Sequence, residues 1–116
     1  LNISKNVKLV DIFEIDVVKA SDYLKKKKIG KINFLKIDTE GYEYEVLLGF
    51  DDLISSIEII MLEHHYDNMI DKKYTFSDIN SFLKKNNFKM VYKSKMPFRK
   101  TYEYIFFQNN LIENEI

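Results

Sequence analysis

Three carboxylates lie within six residues of one another, directly after a short apolar run. The run is Ile32–Ile37, and the acids that follow it are Asp38, Glu40 and Glu43. Carboxylates in such a position can hold a divalent cation, take up a proton from a substrate or bind a positively charged ligand. They also stabilise the first turn of a helix by roughly 0.3 to 1 kcal/mol each. A chemical site and a helix cap are therefore both open interpretations of this cluster.

A second cluster follows another apolar run, at 57–62, and consists of Glu63, His64 and His65. An imidazole titrates near neutral pH, so a histidine here can serve as a general base. A histidine pair after an apolar strand is also common as ordinary packing or surface residues. If the two runs are neighbouring parallel strands, their carboxyl ends open into one crevice. Asp38 and Glu63 then face the same crevice.

Gly41 lies inside the first acidic cluster. A glycine in the first turn of a helix costs on the order of 1 kcal/mol relative to alanine. Its presence therefore indicates that a neighbouring backbone or a ligand approaches closely.

The composition excludes several classes of protein. The 18 basic and 18 acidic residues give a net charge of zero, so we expect neither a nucleic acid nor an anionic membrane as partner. The absence of cysteine removes disulfides, thiolate metal sites and cysteine nucleophiles. No apolar run approaches the roughly 18 residues that span a bilayer, and lysines interrupt the first ten residues, unlike a signal peptide. We therefore predict a cytoplasmic protein.

Strand and helix patterns alternate along the chain, which predicts an α/β fold with a mainly parallel sheet and an antiparallel hairpin at its edge. The apolar run Ile32–Ile37 is typical of a strand that is buried on both faces. A complete small α/β domain is the alternative to part of a larger one. The predicted strands are 7–18 (one or two strands), Ile32–Ile37, 57–62, and the hairpin pair 88–93 and 102–108. The predicted helices are 22–28, capped by Ser21 and closed by Gly30; one from Thr39 or Glu40 to Gly49; and one from a Thr75 and Asp78 capping box to Asn86-Asn87.

The segment 35–50, LKIDTEGYEYEVLLGF, resembles the motif of the FkbM family of methyltransferases. In that motif a strand ending in K-I-D is followed by a variable residue, E-G, one more residue, E, and a V-L-x-G helix. The flanking segments 20–24 and 60–63 resemble the family more weakly, and the similarity covers roughly 13–107. The resemblance implies a Rossmann-like fold, S-adenosylmethionine as cofactor, and a hydroxyl acceptor on a sugar, glycan or secondary metabolite.

Carried over position by position, the resemblance places Asp38 at the end of the fourth strand of that fold, beside cofactor and acceptor. It gives Asp38, Glu40 and Glu43 as cofactor-binding residues and Asp38 and Glu63 as catalytic ones. We add His64 as the candidate base because of its ordinary pKa near neutrality. No metal site is assigned, although a divalent cation held by Asp38, Glu40 and Glu63 stays open.

One departure from the family pattern concerns the cofactor loop. Its glycine-rich turn cannot be built from Gly30, Gly41 and Gly49, which lie too far apart. The chain also opens on Leu1 rather than methionine. We therefore expect residues 1–116 to be the C-terminal half of an FkbM-type domain that lacks its N-terminal half, and to bind S-adenosylmethionine poorly alone.

Two other functions compete with methyl transfer. A metal-dependent hydrolase would also use Asp38, Glu40, Glu63 and His64, and would take up a divalent ion without S-adenosylmethionine. A non-catalytic fragment or binding module would use the many tyrosines, since tyrosine is enriched at interfaces.

Overall fold

A four-stranded sheet with a helix between most of its strands organises the chain, as seen in a computed structural model that describes residues 10–68 and 70–113. This arrangement confirms the α/β class. In chain order the elements are α1 (Ala20–Lys26), β1 (Ile32–Ile37), α2 (Glu43–Leu48), a 3-10 helix (Asp51–Ser56), β2 (Ile57–His65), α3 (Phe76–Lys85), β3 (Phe88–Lys95), β4 (Thr101–Gln108) and α4 (Asn109–Glu113).

The strands lie in the order β1-β2-β4-β3. β1 pairs with β2 in parallel, whereas β4 is antiparallel to both β2 and β3. The prediction of a mainly parallel sheet is therefore wrong for the described strands. The reason is that β4 returns from β3 through a short connection, which forces antiparallel pairing, and then inserts beside β2. The predicted β3–β4 hairpin is confirmed, with β3 at the edge of the sheet.

β1 has the predicted bounds but not the predicted burial. It pairs with β2 alone among the described strands, and Phe34 is 53 % exposed, whereas Ile37 is buried. Burial of a strand on both faces requires neighbours and covering layers that six apolar residues do not themselves specify. β1 is thus an edge strand whose second edge is open among the described residues.

The strands predicted within 7–18 are not formed in the described part of that segment, and 7–9 lie outside the described residues. Residues 10–19 adopt neither helix nor strand. Alternating β-branched residues favour a strand only where a partner strand completes the hydrogen bonds, and no described strand does so here. Within 10–19 the exposed large apolar side chains are those of Val10, Ile12, Phe13, Ile15, Val17 and Val18.

The predicted helix at 22–28 begins earlier and ends earlier, as α1. Ser21 lies inside α1 rather than capping it, and its hydroxyl donates to the carboxylate of Asp51 at 2.9 Å. The left-handed residue that ends the helix is Lys28, with φ of 56°, and not Gly30. Helix α3 was predicted more closely, because its capping box specifies the start directly.

The core lies between the helices and one face of the sheet. Its centre on the sheet comes from alternate residues of β2 and β4, which project to the same face. The buried apolar residues of the core are Leu24, Ile37, Leu47, Phe50, Ile54, Ile57, Ile60, Leu62, Tyr74, Ile79, Leu83, Phe88, Tyr104 and Phe106.

Among the described residues, no helix has the length and hydrophobicity that crossing a membrane requires.

Replacing the cap of α3 tests this account of the fold. The Thr75 hydroxyl accepts from the amide of Asp78, and the Asp78 carboxylate accepts from the amide of Thr75. Thr75→Ala should lower the free energy of unfolding by about 1 kcal/mol, measured by urea denaturation. Ser81→Ala, an exposed change within the same helix, is the control and should lower it by less. Equal effects of the two changes would contradict the capping role.

Candidate functional site

The two acidic clusters meet at the carboxyl ends of β1 and β2. Ile37 is paired with Leu62 in the parallel register, so the next residues, Asp38 and Glu63, are neighbours. β2 runs to His65, three residues beyond the predicted end, so the second cluster lies within the strand. Alternation along a strand then puts Glu63 and His65 on one face and His64 on the other.

The carboxylate of Glu43 is buried at the start of α2, with 1 % of the residue exposed. Its Oε1 accepts from the Thr39 amide at 3.2 Å, the Thr39 hydroxyl at 3.3 Å and the Gly41 amide at 3.2 Å. Its Oε2 accepts from the hydroxyl of Tyr74. A buried carboxylate is stable when its oxygens accept several such hydrogen bonds. Glu43 therefore fixes the loop between β1 and α2, which we call the acidic loop (38–42).

The acidic loop contains two consecutive residues in the left-handed region. Glu40 has φ of 54° and Gly41 has φ of 102°. These angles are incompatible with a right-handed helix, so α2 begins at Glu43 and not at the predicted Thr39 or Glu40. Gly41 is also buried, which accounts for a glycine at this position. The predicted end of the helix at Gly49 is confirmed.

Tyr74 completes the environment of Glu43 from a distant part of the chain. Its hydroxyl donates to Glu43 Oε2 and accepts from the backbone amide of Glu43 at 3.2 Å. Burial, followed by the hydrogen bond to Glu43, raises the pKa of Tyr74 well above its usual value, so the hydroxyl stays a donor. Sequence reasoning missed this role, because Tyr74 lies 31 residues from Glu43 and no local pattern relates the two.

His64 lies on the core face of β2 and is 2 % exposed. Its ring packs against Tyr66, with centroids 4.6 Å apart, and against Phe76 at 5.6 Å. Burial, with a smaller contribution from the positive charge of Lys72, lowers the pKa of His64 to about 4. The imidazole is therefore neutral near pH 7 and placed as a packing residue. The role of His64 as a base stays a prediction that this placement does not favour.

Glu63 lies on the opposite face of β2, among other carboxylates. Partial burial raises its pKa, and the negative charge of Asp38 raises it further, with smaller contributions from Glu103 and Glu40. His65 acts in the opposite direction. A carboxylate among like charges is a common feature of functional sites. Asp38 and Glu40 themselves are exposed, so this edge of the sheet is an open acidic surface.

A cavity of about 420 Å³ lies beside the acidic loop, between α2 and the start of α1. Thr39, Tyr42 and Glu45 line it from the loop and α2, and Val18 and Ala20 line it from the other side. Glu45 Oε2 is buried without a hydrogen-bond partner among the described residues. The described part of the chain thus offers a concave surface next to the acidic loop.

The carboxylates lie at the carboxyl ends of adjacent parallel strands, which is where open α/β sheets bind their ligands. Residues 3–90 match the family model described as the methyltransferase FkbM domain. The chain therefore belongs to the FkbM methyltransferase family, and the resemblance of segment 35–50 is confirmed. Comparison with curated proteins and with solved structures gives no match.

The left-handed conformation of Gly41 gives a test of the acidic loop. Gly41→Ala should lower the free energy of unfolding by at least about 1 kcal/mol, because alanine is strained at φ of 102°. Gly30→Ala is the matched control, since nothing lies within 4 Å of the Cβ it would add. Urea denaturation of both variants checks the difference. A Gly41→Ala variant as stable as Gly30→Ala would disprove the strain.

The buried carboxylate gives a second test. Glu43→Gln exchanges an acceptor oxygen for an NH₂ group and removes the charge, so it should lower the free energy of unfolding by about 1 to 3 kcal/mol. Glu45→Gln, in the same turn of α2, is the control, because Glu45 Oε2 has no hydrogen-bond partner among the described residues. Thermal and urea denaturation measure both. A larger loss for Glu45→Gln would contradict the role given to Glu43.

Proposed function

We propose that the full-length protein transfers a methyl group from S-adenosylmethionine to a hydroxyl group on a sugar, glycan or secondary metabolite. Membership of the FkbM family indicates methyltransferase chemistry. The observation that carries the proposal further is the position of Asp38, exposed and next to Glu63 at the ends of adjacent parallel strands. A small acceptor can approach an exposed carboxylate at this edge, where ligands of open α/β sheets bind.

The described residues match only part of what S-adenosylmethionine requires. When bound, it supplies a methyl group on a positively charged sulfur, and the open acidic surface around Asp38 and Glu63 suits that charge. A glycine-rich cofactor turn is not formed by the described residues, in which Gly30, Gly41 and Gly49 lie in three separate connections. The described residues do not make a complete cofactor site.

Asp38 is the group that we expect to contact the acceptor. As a carboxylate it accepts a hydrogen bond from the acceptor hydroxyl, which orients the oxygen for attack. It would then take up the proton that the oxygen loses as the methyl group passes from sulfur to oxygen and S-adenosylhomocysteine leaves. His64 is less suited to this step, because its ring lies on the core face of β2.

Glu40 and Glu43 take different roles in this proposal. The exposed side chain of Glu40 lies at the same edge as Asp38, where a cofactor can contact it, and its Oε2 is 3.2 Å from His65 Nε2. Glu43 acts as a positioning residue, because its carboxylate is surrounded by donors from Thr39, Gly41 and Tyr74. Direct cofactor binding by Glu40 and Glu43 stays a prediction.

The open edge of β1 supports the proposed domain organisation. An unpaired strand edge exposes backbone donors and acceptors, and the side chain of Phe34 is exposed beside it. We propose that the cofactor-binding half of the domain pairs with this edge and completes the parallel part of the sheet. The predicted absence of nucleic-acid and membrane partners, and the cytoplasmic location, stay predictions.

Replacement of Asp38 tests the function in the full-length protein. Asp38→Asn keeps the size of the side chain but removes the charge that receives the proton, so methyl transfer should fall at least about tenfold. The measurement is S-adenosylhomocysteine release from S-adenosylmethionine, with a panel of mono- and oligosaccharides as acceptors.

Asp52→Asn is the matched control, because Asp52 is an exposed carboxylate of the 3-10 helix. Its turnover should equal that of the wild-type protein, and circular dichroism should give the same fold for both variants. Unchanged turnover in Asp38→Asn would overturn the role of Asp38. No turnover with any acceptor, together with no S-adenosylmethionine binding, would overturn the proposed function.

A further inference from the structure

Three potential metal ligands converge on the face of β2 that is opposite His64. Glu40, Glu63 and His65 each offer one ligand atom, and these atoms lie within 4.8 Å of one another. Glu63 and His65 share a face because they are two residues apart on a strand. Glu40 joins them from the acidic loop, where its left-handed backbone turns the chain. The group thus combines two residues of β2 with one residue of the family motif.

His65 is oriented by a hydrogen bond on its other ring nitrogen. Thr101 is its partner in the antiparallel register, and the Thr101 hydroxyl lies 2.9 Å from His65 Nδ1. When Nδ1 carries the proton and donates to Thr101, the lone pair of the imidazole is on Nε2. Such a partner on the second nitrogen is the usual support of a metal-binding histidine.

The second ring nitrogen of His65 faces the carboxylate of Glu40. Nε2 lies 3.2 Å from Glu40 Oε2, within ion-pair distance for a protonated ring, but it makes no hydrogen bond among the described residues. The side chain of His65 is only 11 % exposed, and Nε2 itself is buried. An unsatisfied buried nitrogen is unfavourable unless a ligand completes it. A cation between the imidazole and the carboxylates would do so.

The surrounding charges also favour a cation. Glu63 is directly opposite Glu103 in the β2–β4 ladder, and like charges at such positions are destabilising. Asp38, the neighbour of Glu63 at the end of the adjacent parallel strand, and Glu40 add further negative charge. A bound divalent ion would remove most of this repulsion.

We propose that Glu40, Glu63 and His65 form a binding site for a divalent transition-metal ion such as Mn²⁺ or Zn²⁺. Two ligand atoms of one tetrahedral ion are about 3.4 Å apart for bonds of about 2.1 Å, so side-chain shifts of roughly 1 Å bring atoms that lie within 4.8 Å of one another to coordination distance. An imidazole with two carboxylates favours first-row transition ions over Ca²⁺ and Mg²⁺, which prefer oxygen alone. Three protein ligands leave positions for water or for an acceptor oxygen.

Isothermal titration of the metal-free, full-length protein with MnCl₂ and with ZnCl₂ tests the proposal, without S-adenosylmethionine. We expect one saturable ion per chain for at least one of the two salts. Glu40→Gln and His65→Gln should each weaken binding at least about tenfold. Glu40 is 58 % exposed, so its replacement leaves the fold intact. Thr101→Val, which removes the partner of His65 Nδ1, should weaken binding by about tenfold.

Glu58→Gln is the matched control, because Glu58 is a carboxylate of the same strand that pairs instead with Lys31. Its metal affinity should equal that of the wild-type protein. Absence of saturable binding, or equal affinity in the wild-type, Glu40→Gln and His65→Gln proteins, would overturn the proposal. Tighter binding of Mg²⁺ or Ca²⁺ than of both transition ions would overturn the assignment of His65 as a ligand. Metal binding without methyl transfer would support the metal site and would contradict only the proposed methyltransferase function.

Discussion

The burial of one carboxylate, that of Glu43, is the constraint on which the acidic loop depends. A carboxylate out of water is tolerated only when donors surround it, and here the donors are Thr39, Gly41 and Tyr74. Those donors in turn hold the loop in a conformation that a helix start would not allow. The motif therefore divides its acids between two tasks: Glu43 faces inward and holds the loop, while Asp38 and Glu40 stay exposed at the sheet edge.

Alternation along β2 places the two histidines in different environments. His64 projects into the core, where aromatic rings surround it and burial holds its pKa low. His65 projects to the other face, with Glu63 two residues before it, and Thr101 on β4 fixes its ring. Two adjacent identical residues thus lie in different environments because a strand turns successive side chains to opposite faces.

The sequence predicts those features that depend on local chemistry. The capping box of α3, the bounds of β1 and the Gly49 end of α2 are all confirmed, since each rests on residues close in the chain. The exposure of β1 and the unpaired segment 10–19 were missed, because both depend on which strands lie alongside. The faces of His64 and His65 could not be assigned because β2 runs three residues further than its apolar pattern, and the contact of Tyr74 with Glu43 was missed because the two are distant in the chain.

The acidic surface at the strand ends is unfavourable as it stands, and this points to a ligand. Glu63 opposes Glu103 across the ladder and neighbours Asp38, so folding alone brings like charges together. Selection for stability would exchange one of these acids for a neutral residue. Their joint presence is explained if a positive group binds there during function. A sulfonium donor and a divalent cation both meet that requirement, and the imidazole of His65 distinguishes them because its lone pair binds a metal ion.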